Sequence, residues 1–121
     1  MITGIGVDLI EVNRVIKACE KASFLQKYYT EKEIELIHLD RNKAADNFAV
    51  KEAVAKMLGT GFRSFFPREI EVLRNPLGKP YVILYANAAE IASQQGTTII
   101  HVSISNTKDY ATAYVIGESE I

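Results

Sequence analysis

The spacing of apolar positions changes along the chain, from a period of two at the start to a helical period through the first half, and back to two near the end. Over residues 2–9, Ile5, Val7 and Leu9 alternate with Gly4, Gly6 and Asp8. This predicts a strand with one apolar face and one face almost empty of side chains. A helix follows from about Glu11 to Lys21, with Val12, Val15, Ile16 and Cys19 inward. TEKE at 30–33 has capping-box spacing, Thr30 to Glu33, and opens a short helix over 31–39. A long helix spans about 43–59 and stops at Gly59 and Gly61.

In the second half, residues 69–74 alternate like a strand and NPLGKP at 75–80 is a turn. PYVILY reads as a strand and ANAAEIASQQG as a helix with a glycine stop. TIIHVSIS and YATAYVIG are two strands joined by NTKD, most simply a hairpin. The order β-α-α-α-β-β-α-β-β predicts an α+β fold, a mainly antiparallel sheet with helices packed against it.

The stretch FAVKEAVAKMLGTG, 48–61, departs from ordinary amphipathic patterning. Val50, Ala53, Val54, Met57 and Leu58 make one apolar face. Phe48, Ala49 and Ala55 lie opposite, around the charges Glu52 and Lys56. An i,i+4 ion pair on a solvated face would contribute only about 0.2–0.5 kcal/mol. Apolar neighbours imply instead that something covers this face, and a half-buried carboxylate needs a partner. Asp8, on the glycine face of the first strand, is the nearest candidate in kind. As a helix cap it would have an ordinary role, and spacing alone favours that reading. Bridged to Glu52 by a cation it would have a chemical one. Hard oxygen ligands favour Mg²⁺, completed by water and substrate phosphates. Lys56 could then meet a phosphate.

Composition narrows the alternatives. With 121 residues, 48% of them hydrophobic, the chain suits one domain, 1–121, with a small core. A net charge of −1 gives no whole-chain attraction for nucleic acid, so an electrostatic partner must meet a local patch. Cys19 is the only cysteine, which excludes an intrachain disulfide and fits a reducing interior. No segment approaches the length of a membrane span, and the expected location is the cytoplasm.

Other polar groups carry weaker signals. On the strand 99–105, His101, Ser103 and Ser105 share a face and lead into Asn106, Thr107 and Lys108, an exposed polar edge or a donor-rich phosphate site. Arg14, Lys17, Ala18 and Lys21 fall in one helical sector, a solvated face or a docking strip for an acidic helix. Lys79 is the only charge in NPLGKP, and no Walker A or GxGxxG sequence is present.

Taken in order, GIGVDLIEVNR at 4–14, FAVKEAVAKMLGTGF at 48–62, NPLGKP at 75–80 and HVSISNTKDYATA at 101–113 resemble the holo-[acyl-carrier-protein] synthases, the small bacterial 4'-phosphopantetheinyl transferases. The resemblance spans nearly the whole chain and implies that family's fold. It implies transfer of the phosphopantetheine arm of coenzyme A to a serine of apo acyl carrier protein, releasing adenosine 3',5'-bisphosphate. It also implies Mg²⁺, a role in fatty acid biosynthesis, and a homotrimer with active sites between subunits. On this resemblance the metal falls on Asp8 and Glu52, with Lys56 near the pyrophosphate. Coenzyme A contacts fall on Lys56, Gly59, Lys79, Pro80, His101, Ser105, Asn106 and Thr107. The carrier contact falls on Arg14, Lys17, Ala18 and Lys21. A metal-bound water or Glu52 would take the serine proton, and Gly4 and Gly6 would give the substrate room. The second apolar face of the long helix would lie near a subunit boundary.

Two positions depart from the family's usual pattern. Asn106 stands where many members have histidine, which removes a possible positive charge. Asp46 and Asn47 stand where an arginine is frequent, so the phosphate-binding charge must lie elsewhere, with Arg41, Lys43 and Lys79 as candidates. The competing readings are a coenzyme A or nucleotide-binding module without turnover, a Mg²⁺-dependent pyrophosphate hydrolase, and a purely structural trimer.

Overall fold

Strand β1 (Ile2–Glu11) lies antiparallel to β5 (Tyr110–Glu118), which in turn pairs antiparallel with β4 (Ile99–Asn106). This three-stranded sheet has the order β1-β5-β4, and its two outer strands come from opposite ends of the chain. A separate hairpin of β2 (Ile70–Arg74) and β3 (Pro80–Leu84) sits beside β4. The single mainly antiparallel sheet expected from sequence is therefore two antiparallel sheets, and the α+β class holds. The structure, a computed structural model, describes residues 1–120.

Between β1 and β2 run α1 (Val12–Ala18), α2 (Ala22–Tyr28), α3 (Glu31–Leu39) and the central α4 (Asn42–Leu58); α5 (Ala86–Gln94) links the hairpin to β4. The predicted helix 11–21 is a correction: it ends at Ala18, and a second short helix follows. Neither α1 nor α2 has a side-chain N-cap, so local signals were poor. What holds α2 is tertiary: Phe48 of α4 stacks on Phe24 at 6.4 Å and lies 5.7 Å from Tyr28. The α3 start is as expected, a complete capping box between Thr30 and Glu33.

Helix α4 covers one face of the sheet. Ala53, Val54, Met57, Ala113 and Val115 share one buried cluster with Ile70 and Val72 of the hairpin. The close approach needs Gly4 and Gly6. A Cβ at Gly6 would overlap the Ala53 carbonyl oxygen, and one at Gly4 would overlap that of Met57. The glycine face is thus filled by the backbone of α4, and the expected room for substrate at Gly4 and Gly6 is corrected. The all-round apolar character of α4 has the same origin. Ala49 and Ala55 are 0% and 1% exposed inside this one chain, not at a subunit boundary.

Three large apolar residues of β1 face the other way. Ile5, Val7 and Leu9 are 57%, 50% and 65% exposed, and Tyr110 and Tyr114 continue the patch onto β5. The uncovered apolar surface is therefore the outer sheet face.

A polar group crosses the core beneath α4. Lys51 and Glu33 form an ion pair at 2.8 Å, with side chains 1% and 0% exposed. Lys51 Nζ also donates to the carbonyls of Pro67 and Ile70. Glu33 accepts further bonds from Thr30 N, Asn47 Nδ2 and Val72 N. Burial pushes Glu33 up and Lys51 down from their ordinary values, against their mutual attraction. The partner count favours the charged pair: three ammonium donors each meet an acceptor, and the carboxylate only accepts.

Candidate active site

Asp8 lies within β1, opposite Ala113 of β5. It is not a helix cap: α1 begins after Glu11, four residues on. Its side chain points to the α4 face, the same face as Gly4 and Gly6. Because those glycines bring α4 onto the strand, Asp8 comes beside the residues that α4 presents at this edge. Lys56 Nζ donates to Asp8 Oδ1 at 3.0 Å and to the Val7 carbonyl at 3.1 Å. The Asp8 side chain is only 14% exposed, against 57% for Lys56. Glu52 lies one turn before Lys56 and is half-buried. Its carboxyl is pushed up, first by burial and then by the negative charge of Asp8, with Lys56 opposing.

Two carboxylates thus share one partly dry edge with one cation. That donor set fits Mg²⁺, which takes one or two carboxylates and keeps sites for water and phosphate oxygens. Among the described residues no group of three or more His, Cys, Asp or Glu is placed to cage a metal. A third and further ligands would come from substrate and solvent. Cys19 offers no alternative chemistry, since burial pushes its thiol up and away from the thiolate.

The remaining predicted contacts fall in separate places. Lys79, Pro80 and Asn106 line a recess of about 390 Å³, together with Lys43, Asp46 and Arg74. Asn106 Nδ2 donates to Asp46 Oδ1 at 2.9 Å, so this asparagine ties β4 to α4. Thr107 closes the β4–β5 turn, its hydroxyl accepting from the amides of Asp109 and Tyr110. Gly59 ends α4 in the left-handed region at φ 79°. His101 and Ser105 lie on the outer sheet face; His101 pairs with Glu118 at 2.9 Å and holds that carboxyl below its ordinary value. Neither joins Asp8 or the recess within one chain.

The separation has a simple measure. Asp8 is level with Ala113, and Ala113 is level with Ile104 of β4. Two strand spacings, about 10 Å, therefore lie between the carboxylate edge and the strand that borders the recess.

Arg14, Lys17 and Lys21 are exposed, and Lys21 lies past the end of α1. Ala18 and Arg14 line a cavity of about 490 Å³ walled by Leu9, Val15, Phe24, Phe48 and Tyr110. This apolar bowl, whose charged lining is Arg14 and Glu11, is larger than the hollow of about 240 Å³ bordered by Ile5, Gly6, Val7, Lys56 and Tyr114.

Arg74 was missed from sequence. Its Nη2 donates to Asn47 Oδ1 at 2.8 Å, and burial pulls it down from its ordinary value, although a guanidinium stays protonated regardless. Its one sequence signal was its place immediately before the NPLGKP turn.

A two-carboxylate edge beside a lysine, on a glycine-seated helix, has the donor types that suit a metal ion and a phosphate. Residues 4–115 match the 4'-phosphopantetheinyl transferase superfamily, and the chain belongs to that family. It is similar to holo-[acyl-carrier-protein] synthase of Lachnoclostridium phytofermentans, 63% identical over 98% of this chain and 97% of that protein. Among solved structures, the holo-[acyl-carrier-protein] synthase of Neisseria meningitidis is 30% identical, with a TM-score of 0.89 over 98% of this chain and 100% of that one. The Bacillus anthracis protein, solved in complex with CoA (3',5'-ADP), is 35% identical, with a TM-score of 0.79 over 99% of both chains.

Proposed function

We propose that this chain is a Mg²⁺-dependent transferase that moves the 4'-phosphopantetheine arm of coenzyme A onto a serine hydroxyl of apo acyl carrier protein. The observation that carries the reading is the grouping of Asp8, Glu52 and Lys56 at one edge of the β1–α4 seam, in a chain of this family. The serine oxygen attacks the phosphorus next to the pantetheine arm. The pyrophosphate P–O bond breaks, adenosine 3',5'-bisphosphate leaves, and the serine proton passes to a base. Asp8 and Glu52 would hold Mg²⁺, which when bound supplies positive charge to the pyrophosphate. Lys56 adds a second positive charge where negative charge grows on the leaving side. The exposed bases Arg14, Lys17 and Lys21, the first of which lines the apolar bowl, suit an acidic amphipathic helix of the carrier. Such chemistry belongs to the cytoplasm and to the supply of active carrier for fatty acid synthesis.

The working form is a homotrimer. Two features support it. The outer sheet face leaves Ile5, Val7, Leu9 and Tyr114 about half exposed or more, a patch that a monomer rarely tolerates. In addition, the carboxylates and the basic recess lie at opposite edges of the three-stranded sheet. A second copy would bring the recess of one subunit to the carboxylate edge of the next, and His101 and Ser105 with it. In light scattering after size exclusion, the wild type is expected at three times the chain mass and Val7→Lys at one. A monomeric wild type at micromolar concentration would sink the interfacial site.

Activity is tested by the intact mass of apo acyl carrier protein incubated with this protein, coenzyme A and Mg²⁺. One added phosphopantetheine is expected, and none with EDTA. An unmodified carrier in every tube, with coenzyme A still bound to the protein, would identify a binding module instead.

A further inference from the structure

Lys56 lies on α4 one turn after Glu52, the spacing at which an ion pair along one helix forms. It pairs instead across the seam. Its Nζ donates to Asp8 Oδ1 at 3.0 Å and to the Val7 carbonyl at 3.1 Å. Glu52 has no hydrogen-bond or ion-pair partner among the described residues. The two ends of the Lys56–Asp8 bond differ in freedom. The Asp8 side chain is 14% exposed and sits on a strand; that of Lys56 is 57% exposed, on a flexible four-carbon stem. The lysine is therefore the partner that can move. Nor does its charge suffice at this edge. Two carboxylates face one ammonium, and at Glu52 the charge of Asp8 outweighs that of Lys56. An edge of that sign repels a pyrophosphate. A divalent cation satisfies both carboxylates at once, which one ammonium does not.

We infer that Lys56 is a built-in counter-ion that holds Asp8 until a divalent cation displaces it, and that this exchange sets the order of binding, cation before coenzyme A. The inference rests on the transferase reading and its metal site. Lys56 then has two stations. On Asp8 it competes with the cation for the same oxygen. Released, its ammonium turns to the pyrophosphate. One residue thus weakens the binding of the cation alone and strengthens that of coenzyme A, and it couples the two reciprocally.

The test uses Mn²⁺, a hard cation that shares the oxygen preference of Mg²⁺, with the free ion counted by its electron paramagnetic resonance signal. Without coenzyme A, Lys56→Gln is expected to bind Mn²⁺ about fivefold more tightly than wild type, the upper worth of an exposed ion pair that the cation must break. Lys56→Arg keeps the charge and should bind Mn²⁺ no more tightly than wild type. The gain in Mn²⁺ affinity on adding coenzyme A should be larger in wild type than in Lys56→Gln by the same factor. Isothermal titration of wild type with coenzyme A should show much tighter binding in Mg²⁺ than in EDTA. The Nζ shift of Lys56, read through its non-exchanging Hε protons and assigned by its loss in Lys56→Gln, separates displacement from simple repulsion: saturating Mg²⁺ should move it. An unmoved shift would overturn the inference. So would Mn²⁺ binding by Lys56→Gln that is no tighter than wild type, or coenzyme A binding as tight in EDTA as in Mg²⁺. Wild type and variants that bind no Mn²⁺, with or without coenzyme A, would remove the metal site and the transferase reading with it. The expected exchange together with an apo carrier that stays unmodified would remove the transferase alone and leave the counter-ion role standing.

Discussion

Protein carrying Glu52→Gln is expected to modify the carrier at least about a hundredfold more slowly than the wild type, and to melt at a higher temperature when no divalent cation is present. The rate effect follows from removing a carboxylate that would hold Mg²⁺, and the stability effect from that carboxylate's surroundings. Burial and the charge of Asp8 push the Glu52 carboxyl above its ordinary value. In the metal-free folded chain the ionised form is therefore disfavoured. The sign follows from linkage. The folded state holds this proton more tightly than the unfolded state. Stability from the group is full below the ordinary carboxylate range and is lost as pH rises through the raised value. Glutamine has no charge to lose, so its advantage should be present at neutral pH and vanish in acid. Melting curves of both proteins in EDTA, at neutral pH and near pH 4, check this directly. A variant no more stable than wild type at neutral pH would show that Lys56 already neutralises the site. Added Mg²⁺ should raise the melting temperature of the wild type and leave that of the variant nearly unmoved.

Lys51→Met should lower folding stability by about 3–5 kcal/mol at neutral pH, the usual cost of stranding one member of a buried pair. For a domain whose whole stability is of the order of 5–15 kcal/mol, that approaches unfolding. The stranded group is Glu33, 0% exposed, which would keep its bonds from Thr30, Asn47 and Val72 but lose its counter-charge. Its carboxyl would move further up. The variant's deficit should then shrink as pH falls through that raised value, because the folded form takes up a proton. Urea unfolding at neutral and mildly acidic pH measures both parts. A loss under about 1 kcal/mol would mean that water reaches Glu33 in the variant. The disturbance should reach the recess, since Glu33 fixes Asn47, and Asn47 holds Arg74.

The contrast between these two neighbours on α4 shows what could be read from sequence. Glu52 and Lys56 stood out because apolar residues surround them, and Asp8 because glycines surround it. Periodicity placed the strands, the long helix and its stop, and the Thr30–Glu33 box marked the α3 start. Lys51 gave no sign. A lysine inside KEA looks like a solvated charge until Glu33, Pro67 and Ile70, which lie 16 to 19 residues away along the chain, close over it. Arg74 is hidden for the same reason: its partner Asn47 is 27 residues distant. The α2 helix depends on ring stacking with Phe48 and not on its own caps. The glycine face was ambiguous in kind, because the absence of a side chain serves a ligand and a helix backbone equally well.

The seating of α4 directly on the backbone of β1 also determines when the site can open. Where side chains separate two elements, rotamer changes let them shift by fractions of an ångström. At Gly4 and Gly6 no such cushion exists, since main chain meets main chain. The amides along this seam lie where α4, β1 and β5 pack together and are expected among the last to exchange with solvent. Asp8 and Glu52 are carried on the two walls of that seam. The spacing between the carboxylates is therefore a property of the global fold, not of a local loop. The carboxylate pair is therefore expected to survive fraying of α1, α2 and the hairpin.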